Sequence, residues 1–509
     1  MTAPAPDSNY AKPFLTVPEQ IRRLRGRGMD CGTDAYASRI LEHYGYYRLS
    51  GYWHLYRARP ASSEDRFDED GREVRLDSFV GGTSLAHVVA LYDFDHELRS
   101  RLSSVLSTIE ISLRFFIGHR LGRTDSFAHR NPEVLGAMRP AALGDSVEPT
   151  TAYCEWLEEY DRHEKRARDG FVLHFREKYG PHLPIWVATE VMSFGGLSNL
   201  YTLMRQADQE ILAARFQLYA RDGRGDRGAL ANWLNSLRNL RNICAHYGRV
   251  WNRTFDVLID APGLTRDDPE HHLYPLAEEG INNKLYGVLL VLRHLLSSIA
   301  PGRSDVDDIV AFIAAESQRT GFAMHQLGFP DNWKADPVWE RGFVLDIAPM
   351  LAAGLLDRCE FLSAPQARAA LSAAEAKPSE TPRTPEQLTG AKKAAQKALL
   401  RTYQQYKVVI EVELGRTKYY PAFQFRDGKI IDALAEINQA LANRCVDVDF
   451  ARVAVAQLDW WQTPHPDLTQ GAHETDQSPL DLLYSIPESE FAEIIASSDA
   501  LRHFVVPKQ

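Results

Sequence analysis

The chain has 509 residues, 44% of them hydrophobic and 25% charged, the make-up of an ordinary globular protein with room for two to four domains. A formal net charge of -10 excludes a generally basic, nucleic-acid-coating surface but not a local basic site, because binding follows the local field. The five cysteines, Cys31, Cys154, Cys244, Cys359 and Cys445, are scattered and contain no CxxC pair, which argues against a disulfide framework or a zinc site and favours a reducing compartment.

Residues 1–17 are Pro-rich and read as a loosely ordered arm. They lack the basic region followed by an apolar core of a signal peptide. Helices are expected over 17–27 and over 34–47, the second with Asp34 as its N-cap. The aromatic segment 43–57, HYGYYRLSGYWHLYR, reads as core with hydrogen-bonded polar tips, with an RNA-stacking surface as the alternative. Residues 61–82 form an acidic loop or hairpin, and a long helix runs over 84–121 with Gly122 at its C′ position. A charged helix follows over 152–179. Two helices then meet at Gly195-Gly196 in the segment that Pro184 opens. Helices over 208–220, 229–247 and 281–299, and others to about 357, complete a helical domain over 18–362. The most apolar run, 285–296, carries Arg293 and His294 and is too short to span a bilayer. No membrane association and a cytoplasmic location are expected.

Residues 363–398 are Ala-, Pro-, Ser- and Thr-rich and read as a linker. Strands over 406–414 and 418–425, then helices around 430–443, 449–458 and 479–497, make a separate α+β domain over 399–509. The fold class is therefore mainly α, with a small C-terminal α+β domain.

The candidate chemistry lies in residues 230–253, LANWLNSLRNLRNICAHYGRVWNR. As a helix this places Leu230, Trp233, Leu234, Leu237 and Cys244 on one apolar side. Arg241 falls inside that stripe, where an arginine is costly unless paired. The spacing Arg-x4-His occurs three times, at Arg114–His119, Arg241–His246 and Arg266–His271, and chance alone supplies about one such match. The third lies across Pro269, a loop, and the first reads as structural. Arg241–His246 differs in context: Asn242 follows the arginine, and Gly248 stands just past the histidine to end the helix.

Side chains five apart sit about 140° apart on an ideal helix. Either the helix unwinds before His246, or a second copy completes the site across a two-fold axis. In the second case the apolar face around Arg241 is the subunit interface. The residue types suit RNA cleavage without a metal or other cofactor. Histidine can exchange a proton with a ribose 2′-OH or a leaving 5′-oxygen, and the arginine fork fits a phosphate in the transition state. Asn242 would orient the phosphate or the histidine. The competing reading is an Arg–carboxylate pair with a helix-terminal His on the macrodipole.

LRNLRNICAHYGRVWNR resembles the RN-x3-H motif of HEPN ribonucleases and, more narrowly, of the Abi-like (AbiD/AbiF) abortive-infection family. Segments 46–57, 91–114, 186–201 and 327–339 resemble the same family in the same order, so the resemblance covers about the first 345 residues. It implies a HEPN-type helical bundle with helical extensions, a homodimer with paired Arg/His sites, an RNA substrate, and an anti-phage or toxin role in bacteria. It further implies restraint by a small RNA or a protein partner and a likeness to the nuclease modules of type VI CRISPR effectors. By motif position Arg241 and His246 are catalytic and Asn242 supports them, while Arg238, Arg249, Trp251, Asn252 and Arg253 are expected to contact RNA. Glu110 and Glu190 match family helices and read equally as partners for an arginine. The last hundred residues resemble the toxin-binding domain of Xre/MbcA/ParS-type antitoxins through KYYPAFQFRDGKIIDALAEINQAL, LDWWQTPHPDL and SPLDLLY, without the DNA-binding domain that precedes it there. Because the linker holds this domain at high effective concentration near the nuclease, it is expected to regulate, either covering the site in cis or sensing a second protein. Two rivals stand beside the nuclease: a non-catalytic HEPN module that binds RNA or protein, and an antitoxin-like domain that neutralises a separate toxin.

Overall fold

The computed structural model describes residues 13–506 except 63, 69–72, 142–145, 341–342, 344, 346–351, 353, 356–357, 372–384, 446–447, 466–467 and 469–476. Most of the expected arm therefore lies outside the described residues. The fold is mainly α with a few short strands. In chain order the helices are α1 (Val17–Gly26), α2 (Asp34–Tyr44), α3 (Tyr46–Trp53), α4 (Leu85–Gly122), α5 (Pro132–Leu135), α6 (Thr151–Arg166), α7 (Gly170–Tyr179), α8 (Ile185–Val191) and α9 (Phe194–Leu203). They continue with α10 (Gln206–Arg215), α11 (Arg227–Ala245), α12 (Leu285–Ile299) and α13 (Asp305–Thr320). A two-stranded ribbon, β1 (Met138–Pro140) with β2 (Val147–Pro149), stands before α6.

Two compact units divide the chain. The first comprises Met1–Val105, Leu240–Thr254 and Asp305–Trp333, and the second Leu106–Asn239, Phe255–Ser304 and Lys334–Gln509.

In the first unit Leu91, Phe94, Leu98 and Leu102 of α4 are buried, the i, i+3, i+7, i+11 spacing of an apolar face. Phe94 packs its ring 5.5 Å from Phe312 and 5.0 Å from Phe322. Tyr52 and Trp53, from the aromatic segment, are buried here as expected of core. The N-cap of α2 is Thr33 and not Asp34, since the Thr33 hydroxyl accepts from the Tyr36 N–H at 3.2 Å.

The second unit is built around α12, in which every residue from Leu285 to Ser298 is buried, the mark of a helix surrounded on all sides. The charged helix breaks in two at 167–169, giving α6 and α7. Gly195 and Gly196 do not form the break between α8 and α9. Ser193 caps α9 by accepting from the Gly196 N–H at 3.0 Å, so both glycines lie in the first turn. Gly122 is likewise inside α4, not beyond it. A Cβ there would come 3.0 Å from Trp186 Cε3, so its role is the close approach of α8.

The C-terminal part of this unit is an α+β cluster that begins earlier than the composition suggests. Strand β3 (Phe361–Ser363) pairs antiparallel with β5 (Thr417–Pro421), which also pairs with β4 (Val412–Leu414). Residues 364–369 form α14 and 385–405 form α15. The expected linker 363–398 is thus largely built into the domain where it is described. Ala367 and Leu371 fill one core with Leu400, Leu434, Trp461 and Phe491. The strand expected over 406–414 covers only its last three residues, because the Gln424 side chain pairs with the Ile410 backbone in place of a neighbouring strand. Its Oε1 accepts from the Ile410 N–H at 2.6 Å and its Nε2 donates to the Ile410 carbonyl at 3.0 Å. After the small ribbon β6 (Phe425–Arg426) and β7 (Lys429–Ile430) come α16 (Asp432–Asn443), α17 (Phe450–Gln462), α18 (Pro479–Ser485) and α19 (Glu488–Ser497). Both Trp460 and Trp461 are core, with their indole N–H groups satisfied by Ala500 O and Asn438 Oδ1.

Candidate active site

Asp226 starts α11, its side chain accepting from the Ala229 N–H at 3.0 Å. The buried face runs through Leu230, Trp233, Leu234 and Leu237, then passes to Leu240, Ile243 and Cys244. That shift turns it away from Arg241, which is exposed. The expectation that Arg241 sits inside the apolar stripe is therefore corrected: the stripe is not straight. A buried arginine no longer needs explaining.

The helix ends in a Schellman motif. The His246 N–H still bonds the Asn242 carbonyl at 2.9 Å, the Tyr247 N–H returns to Cys244 O at 3.1 Å, and the Gly248 N–H to Ile243 O at 2.8 Å. Tyr247, not Gly248, takes the left-handed conformation, with φ 56°. Gly248 serves another purpose: a Cβ there would meet Ile243 Cγ2 at 3.1 Å and Ile243 O at 3.3 Å. Helical hydrogen bonding thus runs through His246, and the helix does not unwind before it. Arg241 and His246 stay about 140° apart around the axis. Asn242, one turn before His246, is the residue that shares its side. Arg241 Nη1 lies 3.5 Å from Asn242 Oδ1, and all three side chains are exposed.

Beneath this exposed end the following loop is fixed by a buried ion pair. Asp95 and Arg99, one turn apart on α4, are 0% and 3% exposed and bonded to each other. Asp95 Oδ1 accepts from the Trp251 N–H at 2.7 Å and the Val250 N–H at 3.2 Å, and its Oδ2 accepts from the Tyr52 hydroxyl at 2.6 Å. Arg99 Nη1 reaches Gly248 O at 3.4 Å. Burial pushes the Asp95 carboxyl up, against the Arg99 guanidinium and the three neutral donors that favour its charged form. From α3, Arg48 Nη1 donates to Tyr247 O at 3.0 Å and Arg249 donates to Gly51 O. Burial also lowers the Arg249 pKa and raises the Cys244 thiol to about 11.

These contacts sort the expected RNA-contacting residues. Trp251 is 0% exposed and stacked on Tyr52 at 6.0 Å, so its indole is core and offers no face to a base. Arg249 is half-buried with one nitrogen committed to Gly51 O. Asn252, at φ 49°, and Arg253 are half-buried in the turn that follows. Arg238, earlier on α11, donates to Asn235 Oδ1 at 2.6 Å and borders a cavity of about 120 Å³ with Trp156, His163 and Asn199.

The two other Arg-x4-His pairs are structural. Arg114 donates to the carbonyls of Thr189 (3.2 Å), Glu190 and Met192 (3.0 Å), closing the end of α8, and pairs with Glu110 at 2.6 Å. Glu110 and Glu190 are accordingly its partners. Arg266 Nε donates to Ala261 O at 2.9 Å. Asp95 and Arg99 are further site residues that no motif marks, whereas Tyr52 is the expected core tyrosine with its hydroxyl bonded. The available signal was an Asp and an Arg at i, i+4 among the apolar positions of α4.

Among the described residues no group of three or more His, Cys, Asp or Glu side chains is placed to hold a metal ion, and no helix is long and apolar enough to cross a membrane. The architecture is that of a helical protein with an exposed Arg-Asn-His end on one helix and a loop clamped below it. Residues 39–252 match the model of the Abi-like protein family. The matched segment contains α3, α4 and the whole motif through Asn252, and stops before the C-terminal α+β cluster. No curated protein and no solved structure matches the chain.

Proposed function

We propose that this protein is a HEPN-type endoribonuclease of abortive-infection defence, cutting RNA by attack of a ribose 2′-OH. The Abi-like segment supports the defence role. One observation carries the chemistry: Arg241, Asn242 and His246 are exposed together at a helix end whose following loop is anchored by the buried Asp95–Arg99 pair. Arg241, unlike Arg114, has its guanidinium open to solvent.

In this reading one His246 takes the proton of the 2′-OH as its oxygen attacks phosphorus. The 5′-oxygen leaves with a proton from an acid on the opposite side, and Arg241 stabilises the charge on the phosphorus oxygens. The products are a 2′,3′-cyclic phosphate and a 5′-OH end. DNA lacks the nucleophile. Because α11 stays helical through His246, the Arg241 and the His246 of one site are supplied by two chains related by a two-fold axis. The test uses single-stranded RNA in EDTA with wild type, Arg241→Ala and His246→Ala. Cleavage by wild type alone, leaving cyclic phosphate ends, supports the nuclease. RNA binding with no cleavage by any variant supports instead a binding module.

The C-terminal α+β cluster is proposed to regulate this activity. Support comes from its hairpin turn, which packs on the helical part of its own unit: the Arg416 N–H bonds Gly223 O at 3.2 Å. A Cβ at Gly223 would meet Arg416 Cα at 2.8 Å. Truncation near 395 is a poor test, because it cuts α15 and removes the strand that pairs with β3. Gly223→Val, at a left-handed φ of 82°, opens the contact without cutting the strands and helices of the cluster. Raised cleavage in that variant supports control in cis; wild-type cleavage with the hairpin displaced counts against it.

A further inference from the structure

Tyr247 combines three features that packing does not explain. It adopts a left-handed backbone, φ 56°, at the helix-ending position where glycine is favoured, although a glycine stands next in the chain. Its side chain is 61% exposed, so no buried contact compensates the conformation. Its carbonyl is held by Arg48 of α3, and its neighbour Gly248 is held against Ile243 O, so the backbone that carries the ring is fixed on both sides. Strain that persists at an exposed aromatic points to a role for the ring itself. The adjoining α3 adds Tyr47, 78% exposed, beside Arg48.

We infer that Tyr247 is a base-stacking subsite for single-stranded RNA, placing the nucleotide beside the scissile phosphate at His246. The inference rests on the nuclease reading above. An aromatic face takes any base, so this subsite supplies affinity and register without sequence preference. Arg48, bound to the Tyr247 carbonyl and otherwise exposed, adds a positive charge for the backbone of the same strand.

The experiment measures binding of a fluorescent, 2′-O-methylated single-stranded RNA to the full chain, alongside cleavage of the unmodified strand. Tyr247→Gly removes the ring and suits the left-handed position, so the fold is kept; Tyr247→Phe retains the stacking face. Stacking predicts about tenfold weaker binding for Tyr247→Gly, with Tyr247→Phe close to wild type and a raised KM in cleavage for the glycine variant alone. Equal binding by wild type and Tyr247→Gly, with wild type cleaving RNA, overturns the subsite and leaves the nuclease standing. Absence of both binding and cleavage in wild type overturns both.

Discussion

At the scale of single residues, the site separates side chains available for chemistry from side chains that hold them. Arg241 and His246 are exposed, so Arg241→Ala and His246→Ala should change stability by less than about 0.5 kcal/mol while abolishing cleavage. Asp95 is the opposite case. Asp95→Ala leaves Arg99 buried without its carboxylate and strips the acceptor from the Val250 and Trp251 N–H groups. It should cost about 3–5 kcal/mol in urea unfolding and lose cleavage as well. A cost under 1 kcal/mol would show that the pair does not anchor the loop. Tyr247→Gly should gain up to about 1 kcal/mol by relieving the left-handed tyrosine.

At the scale of elements, α11 carries the decisive geometry. Its last turn closes through Gly248, and Gly248→Ala would push a Cβ against Ile243 Cγ2 and Ile243 O. We expect a loss of about 1–3 kcal/mol from that overpacking and a cleavage defect larger than that of a surface change. The helices were legible where their apolar spacing is long and regular, as in α4. What stayed hidden depends on contacts distant in sequence. The curved burial of α11 is one instance, since a straight stripe put Arg241 inside and the real one turns to Leu240 and Ile243. The shortened strand is another: a glutamine side chain stands in for a strand partner, which no local pattern announces. Trp251 matched the family tail as a residue, yet only the packing on Tyr52 reveals it as core. The motif residues were legible; their anchor, Asp95 with Arg99, was not, because two charged residues one turn apart read as a surface pair.

At the scale of the whole molecule, buried histidines make stability depend on pH. His272 donates through Nε2 to His294 Nδ1 at 3.0 Å, while His294 Nε2 donates to Phe216 O at 2.5 Å. Burial lowers His294 to about 4 and His129 to about 3, and it depresses His272 too. The unfolded chain takes up these protons near pH 6.5, the folded chain only far below it. Stability is therefore full above about 6.5 and lost as pH falls through the window from 6.5 to 4. Thermal unfolding midpoints measured across that window should fall steadily, and a His294→Gln chain should fall less steeply. A flat profile would contradict neutral burial.

One Arg241 and one His246 from different copies are proposed to complete an RNA-cutting site, and mixing two variants tests this. Arg241→Ala and His246→Ala chains, each inactive alone, are co-expressed and assayed on single-stranded RNA. Random pairing makes half the dimers mixed, each with one intact site, so cleavage should return to about a quarter of wild type. No recovery from verified mixed dimers, with wild type active, would contradict a site shared between copies. Full activity in either single variant would contradict the assignment of the residues themselves.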